Sequence, residues 1–381
     1  MDPSTVFCAT ETCPDKGRVG AGNIGIHSQK KRRYRCTTCG DTFSATTGTP
    51  YYRLHKEAWL MTTVLILLCH GCPPPAIVAA FGLDERTVTA WLHRAGAHCA
   101  ALHGHLVATG QVAAGQVQAD EIRVKVRGGV VWQAMALDVA SRLWLGGAVS
   151  RTRDGALVTR ALERVRACAA TRAILLCVDG FVAYVGAARS VFRVPVYTGK
   201  RGRPRLALPE GFLLAQVVKS HKGRRLAEVT RRVVVGTEEA VARAIAATRG
   251  GTQINTAYIE RLNATFRAHL APLVRRGRGI AHGPALVESG LWLVGCAYNF
   301  CWTHESLRLR AIGGRTWHER TPAMAAGLTD HAWTLDEVLR YPVPPRARTV
   351  TSKPRRGRRR DHGRLLPFPA RPASPPTGRA A

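Results

Sequence analysis

From Ala173 to Val178 every residue is apolar, and the run stops on Asp179-Gly180. An apolar run without alternation describes a central strand buried on both faces, so the chain must build a sheet covered on two sides. Acids are rare in such strands, because an unpaired carboxylate is costly to bury. Taken alone, Asp179 reads equally as a capping aspartate helped by Gly180 or as a functional group. Upstream, Val117 to Val126 alternates like a half-buried strand and carries Asp120. Val130 to Leu137 and Leu143 to Val149 follow at hairpin distances, with Arg127-Gly128-Gly129 as a turn. A helix over 154–167 then leads into the Asp179 strand. Asp138, at a strand end, and Asp154, before a helix, read as structural carboxylates.

A third acid lies in Asn255-Thr-Ala-Tyr-Ile-Glu-Arg-Leu-Asn-Ala-Thr-Phe-Arg267. Asn255 is a suitable N-cap, and Ile254 can staple onto Ile259. Ile259, Leu262, Phe266, Leu270 and Leu273 recur at helical spacing, and Pro272 marks the end. Glu260, Asn263 and Arg267 fall on the strip beside this apolar stripe. For this helix alone, a solvated polar face is sufficient. The order Asp, Asp, Glu across two strands and a helix asks for more.

On these residues the chain resembles the DDE transposases, closest to the insertion-sequence-one family. Asp120-Glu121, Asp179-Gly180-Phe181 and the segment Ile259-Glu260-Arg261-Leu262-Asn263 with Arg267 carry the resemblance, and Tyr298 to His304 resembles the end of many such cores. The resemblance implies a ribonuclease H-like mixed-sheet core with Asp120, Asp179 and Glu260 as catalytic acids. It also implies two Mg²⁺ ions (Mn²⁺ as a substitute), Asp120 bridging both, Asp179 on one and Glu260 on the other. Arg267 would meet a DNA phosphate near the metals, and Asn263 would position the DNA end. A homo-oligomer on DNA is implied too.

The charge agrees with such a partner. With 56 Lys+Arg against 25 Asp+Glu, the formal charge of +31 exceeds what surface solvation needs, and nucleic acid is the first candidate; the resemblance implies double-stranded DNA. Met1-Asp-Pro-Ser lacks the basic and apolar regions of a leader, and the apolar run Trp59 to Cys69 is too short for a bilayer. A reducing, prokaryotic cytoplasm with nucleoid association is expected, with no membrane partner. Clustered cysteines among the 11 are then read as metal ligands rather than disulfides, while Cys69 and Cys72, on an apolar helix with no second pair, read as core cysteines. Cys8 and Cys13, spaced by four residues, and Cys36 and Cys39, spaced by two, suit a Cys₄ zinc ribbon holding one structural Zn²⁺. The first pair is wider than the usual knuckle, which leaves His27 as a substitute ligand. Lys30, Lys31, Arg32, Arg33 and Arg35 crowd the hairpin before the second pair and suit phosphate contacts.

A helix-turn-helix is expected next. Ile77 and Phe81 pack its first helix, Gly82 turns, Leu83 plugs, and Asp84 caps the second, which buries Val88 and Trp91. Arg86, Thr87, Thr89 and His93 would face a major groove. The expected plan is multidomain: zinc ribbon 1–54, all-α helix-turn-helix 55–98, polar linker 99–116, and an α/β core 117–310. Within the core, a basic insertion 198–250 opens on Arg201-Gly202-Arg203-Pro204, whose Arg201 and Arg203 suit a narrow minor groove. A C-terminal helical segment 311–341 and a basic, disordered tail 342–381 complete it. Two other readings stay open: a domesticated, non-catalytic DNA-binding regulator, and a structure-specific nuclease sharing the metal site.

Overall fold

In a computed structural model of the chain, the N-terminal cysteines close a small antiparallel sheet of β1 (Ile24–Ser28), β2 (Arg33–Cys36) and β3 (Thr42–Ser44). The structure describes residues 1–197, 199, 202–223, 225–274, 281–310 and 316–345, the side chain of His221 aside, and residues 1–345 form one compact unit. The ribbon has its own small core of Val6, Ile24, Tyr34 and the cysteines. Such a core is too small to hold a fold without a covalent or metal staple.

Three helices follow: α1 (Ala58–Cys69), α2 (Pro74–Phe81) and α3 (Glu85–Leu106). Gly82 takes the left-handed conformation at φ 60°, and the Asp84 side chain accepts the Arg86 amide at 2.7 Å, as their sequence roles require. Helix α3 does not stop where the polar linker was expected but continues to Leu106. Of the three histidines near the end of this helix, His98 and His103 are buried and His105 is at the surface. His103 packs edge-on against Trp144 and Trp292, each 5.3 Å between ring centroids. Burial, with Arg164 nearby, pushes its pKa down to about 3, so it sits among the rings as a neutral imidazole. Gly96 allows this arrangement. A Cβ there would lie 2.6 Å from the Ser289 Cα of a crossing helix.

The central sheet starts with the antiparallel meander β4 (Gln116–Val126), β5 (Gly129–Asp138) and β6 (Trp144–Ser150). Then come α4 (Gly155–Cys168), β7 (Leu175–Asp179), α5 (Ala183–Phe192), and a side hairpin of β8 (Val194–Val196) and β9 (Arg205–Ala207). The strands β10 (Leu213–Lys222) and β11 (Arg225–Val235) lead to α6 (Glu238–Ala247), α7 (Ala257–His269) and α8 (Pro284–Cys296). Six strands form one mixed sheet in the order β11-β10-β7-β4-β5-β6, with β4, β7 and β10 mutually parallel. Residues 213–235, expected within an insertion, are therefore two strands of the sheet itself. On β10, Leu214 packs on one face of the sheet and Ala215 on the other, so this strand is covered on both sides as β7 is. Helices α4 and α5 cover one face, and α6, α7 and α8 the other. One apolar cluster runs from Tyr51 on the approach to α1 through the sheet to Leu339, so α1–α3 share the core of the α/β body. The C-terminal segment contributes short helices Pro322–Ala325 and Leu335–Arg340, while Trp317–His318 pairs as a strand with Leu309–Arg310. Among the described residues, no helix is long and apolar enough to cross a membrane.

Candidate functional site

The register of the sheet brings the two strand aspartates side by side. Ala119 pairs with Val178 in the parallel ladder, so Asp120 and Asp179 are the next residues on adjacent strands. Alternation along β4 sends Gln118 and Asp120 toward α7 and sends Glu121 to the opposite face. Where β7 ends, single carboxylate oxygens of Asp120, Glu121 and Asp179 all lie within 4.8 Å of one another, a donor set suited to a hard divalent cation. Glu121 is a site residue that its motif neighbour Asp120 overshadows in the sequence. Its side chain is fully buried, and its Oε2 accepts Arg153 Nη2 at 2.9 Å. The same guanidinium nitrogen reaches Asp179 Oδ2 at 3.1 Å.

Helix α7 is held over this site from the sheet. Thr256, one residue later than expected, is the N-cap and makes no side-chain cap bond. Gln118, buried on β4, supplies the cap: its Oε1 accepts the Tyr258 and Ile259 amides, both at 3.0 Å, and its Nε2 donates to Asn255 O at 2.9 Å. An acceptor from the sheet thus satisfies two helix-start donors that otherwise lack partners. Gln118→Ala should cost about 1–3 kcal/mol by stranding these amides, measurable by chemical denaturation. Unchanged stability would remove Gln118 from this role.

Asn263 was expected to position a DNA end. In the structure it is buried one turn beyond Glu260, and its Nδ2 donates to Asp120 Oδ2 at 2.7 Å. Glu260 shares this side of the site and adds to the repulsion felt by Asp120, but it stands outside the mutually close trio. Its Oε1 takes Lys219 Nζ of β10 at 2.5 Å and the Thr256 hydroxyl at 2.9 Å. Arg267 is half-buried on the last turn of α7. Asp138 and Asp154 have the structural roles assigned to them: Asp138 accepts the Ser141 amide and hydroxyl, and Asp154 caps α4 through the Leu157 amide.

Burial pushes the Asp120 carboxyl up to about 7, with Glu121, Asp179 and Glu260 adding repulsion. Its unfolded value is near 3.8, so between about pH 4 and pH 7 the folded metal-free chain binds a proton that the unfolded chain has released. Stability must fall as pH rises through that window. Asp120→Asn removes this loss. In Mg²⁺-free buffer it should raise the melting temperature at pH 8 by at least a few degrees and give no gain near pH 4. An equal gain at both pH values would contradict the shift.

At the other end of the chain, Cys8, Cys13, Cys36 and Cys39 offer sulfurs all within 4.8 Å of one another, with Cys8–Cys39 at 3.6 Å and Cys13–Cys36 at 3.9 Å. These distances are too long for disulfides. They fit tetrahedral zinc, whose ~2.3 Å bonds place thiolates roughly 3.8 Å apart. Asn23 Nδ2 lies 3.7 Å from Cys36 Sγ and supports it from outside. His27 is exposed on β1, and the close sulfur set is made of the four cysteines.

The α3 face expected to read DNA is more enclosed than the sequence implied. Arg86 is exposed, Thr87 and Thr89 are half-buried, and His93 Nδ1 lies 2.8 Å from Ser289 Oγ on α8. His93 is therefore engaged with α8, which crosses α3 closely at Gly96. Arg86, Thr89 and His93 line an open cleft of about 580 Å³ whose far wall includes His282, Gly283 and Leu286. Arg203 is exposed in the β8–β9 hairpin, while Arg201, the basic loop 275–278 and the tail from Arg346 lie outside the described residues.

No family model matches the chain, and no curated protein matches it. Among solved structures it is similar to a simian T-cell lymphotropic virus intasome in complex with PP2A regulatory subunit B56 gamma, at 11% identity over 76% of this chain and 79% of that chain. The TM-score of 0.27 is low, and that likeness carries no argument about function.

Proposed function

We propose that the chain is a DNA transposase of the DDE class, cutting and joining DNA at the acid site between β4, β7 and α7. One observation carries this reading: strand register sets Asp120 beside Asp179, and α7 is clamped over them by Gln118 and Asn263 with Glu260 on the same helix. The parallel order β4-β7-β10 beside an antiparallel β4-β5-β6 meander supports a ribonuclease H-like core. Asp120, Asp179 and Glu260 would hold Mg²⁺, with Glu121 beside them. When bound, a pair of such ions supplies an activated nucleophile and stabilises both oxygens of an in-line phosphoryl displacement. The chain's own residues hold Asp120 through the Asn263 amide, pair Asp179 with Arg153 while no ion is bound, and keep β4 and α7 in register. The zinc ribbon and the α2–α3 pair would bind the element's ends, with Arg86 and Thr89 toward bases and the ribbon's exposed Lys30, Lys31, Arg32 and Arg35 on phosphate. A homo-oligomer would bring two ends together.

Incubating the full chain and Mg²⁺ with the DNA that borders its coding sequence tests the reading. Nicking at the element's ends followed by joining of the new 3′-hydroxyl to a target duplex is expected. Cleavage without joining would favour a nuclease, and specific binding without cleavage a regulator.

A further inference from the structure

Four carboxylates share the acid site, and three of them are already paired. Arg153 bonds Glu121 through Nε at 3.3 Å and Nη2 at 2.9 Å, and Asp179 through Nη2 at 3.1 Å. Lys219 holds Glu260 at 2.5 Å. Asp120 has a neutral partner, Asn263. Two cations thus sit on the oxygens that a pair of divalent ions would need. Both cannot occupy the same lone pairs, and a divalent ion beside a guanidinium repels it.

The two halves of Arg153's environment differ. Glu121 is fully buried and grips the guanidinium by two nitrogens, and Phe181 stacks on it with its ring centre 4.2 Å away. Asp179 is more than one-third exposed and takes a single bond. Losing the Asp179 bond therefore leaves Arg153 anchored at the site's edge with N–H groups released. A planar, permanently charged fork in that position suits a phosphate. Lys219 is an exposed point charge on β10, free to swing by its flexible stem.

We propose, resting on the transposase reading, that Arg153 and Lys219 are resident counter-ions of the acid site that exchange partners. In the metal-free chain they neutralise Asp179 and Glu260. When a divalent cation takes those carboxylates, both turn to the phosphates of the bound DNA. Metal and DNA binding are thereby coupled through two side chains.

The test uses the full chain and two equilibrium readouts: Mn²⁺ affinity by electron paramagnetic resonance, and affinity for a fluorescent duplex with and without Ca²⁺. Arg153→Gln should bind Mn²⁺ more tightly, on the order of tenfold, because a competing charge-assisted bond is gone. Its Ca²⁺-dependent gain in DNA affinity should shrink several-fold. Lys219→Gln, a change in an exposed ion pair that leaves the core untouched, should shift both readouts in the same directions. Arg153→Lys should return Mn²⁺ affinity toward the parent value, which loss of packing alone would not do. The exchange is overturned if the parent binds no Mn²⁺, if Mn²⁺ affinity is unchanged or weaker in Lys219→Gln and in folded Arg153→Gln, or if both keep the parent's full Ca²⁺-dependent gain. Both readouts are binding equilibria, so they decide the exchange whether or not the chain joins DNA strands, and strand joining decides the transposase reading separately.

Discussion

Asp120→Asn, Asp179→Asn and Glu260→Gln should each lower Mg²⁺-dependent end cleavage and joining by at least ~10²–10³-fold, the scale of losing one preorganised stabiliser of the transition state. The folded chain should survive all three. Asp120 is buried among like charges and costs stability above neutral pH, and Glu260 lies at the surface in a single ion pair. Asp138→Asn and Asp154→Asn are the controls. Their side chains serve a β-turn and a helix cap and stand outside the carboxylate cluster, and Asn serves as a cap nearly as well as Asp, so activity should persist. Gel assays on labelled DNA ends separate the two groups. Full activity in Glu260→Gln would move the third carboxylate elsewhere, with Glu121 the residue best placed to take it.

The second large effect is expected at the zinc ribbon. Replacing Cys36 and Cys39 together by Ser should release one zinc per chain and unfold the ribbon. Structural zinc sites contribute roughly 10–16 kcal/mol of apparent binding energy, and the ribbon's own buried residues are few. Metal analysis of the purified chain, with limited proteolysis of the ribbon, reads both consequences. The α/β body should stay resistant, since the cysteines and the apolar residues around them form a core separate from its own. Zinc retained in the double variant would exclude these cysteines as the ligand set.

Much of the scaffold is legible in local pattern. The unbroken apolar run to Val178 becomes a central strand with both faces covered, and Gly82 and Asp84 make the turn and cap that their conformational preferences favour. Three features of the site are not local. Gln118 looks like any polar position on an alternating strand, and it becomes a helix cap only because α7 starts above it. Glu121 points to the other face from Asp120, and oxygens of the two acids come together where the neighbouring strand β7 ends at Asp179. Arg153 is one of 56 basic residues, and nothing nearby in sequence marks it as the partner of two carboxylates. The same limit explains β10. Its basic surroundings suggest an insertion, while its parallel pairing to β7 is a tertiary fact. Histidines mislead in the opposite sense: His98 and His103 count as polar, yet a neutral imidazole packs in the core once bonded or ringed by indoles.

The central claim is that Asp120, Asp179 and Glu260 act as one metal site. The most direct measurement is a crystal structure of the chain with Mn²⁺ and a DNA end, read by anomalous scattering. Two manganese peaks about 4 Å apart are expected beside Asp120, Asp179 and Glu260, with Lys219 displaced from Glu260. A single peak, or a Glu260 carboxylate still on Lys219 and distant from any metal, would contradict it.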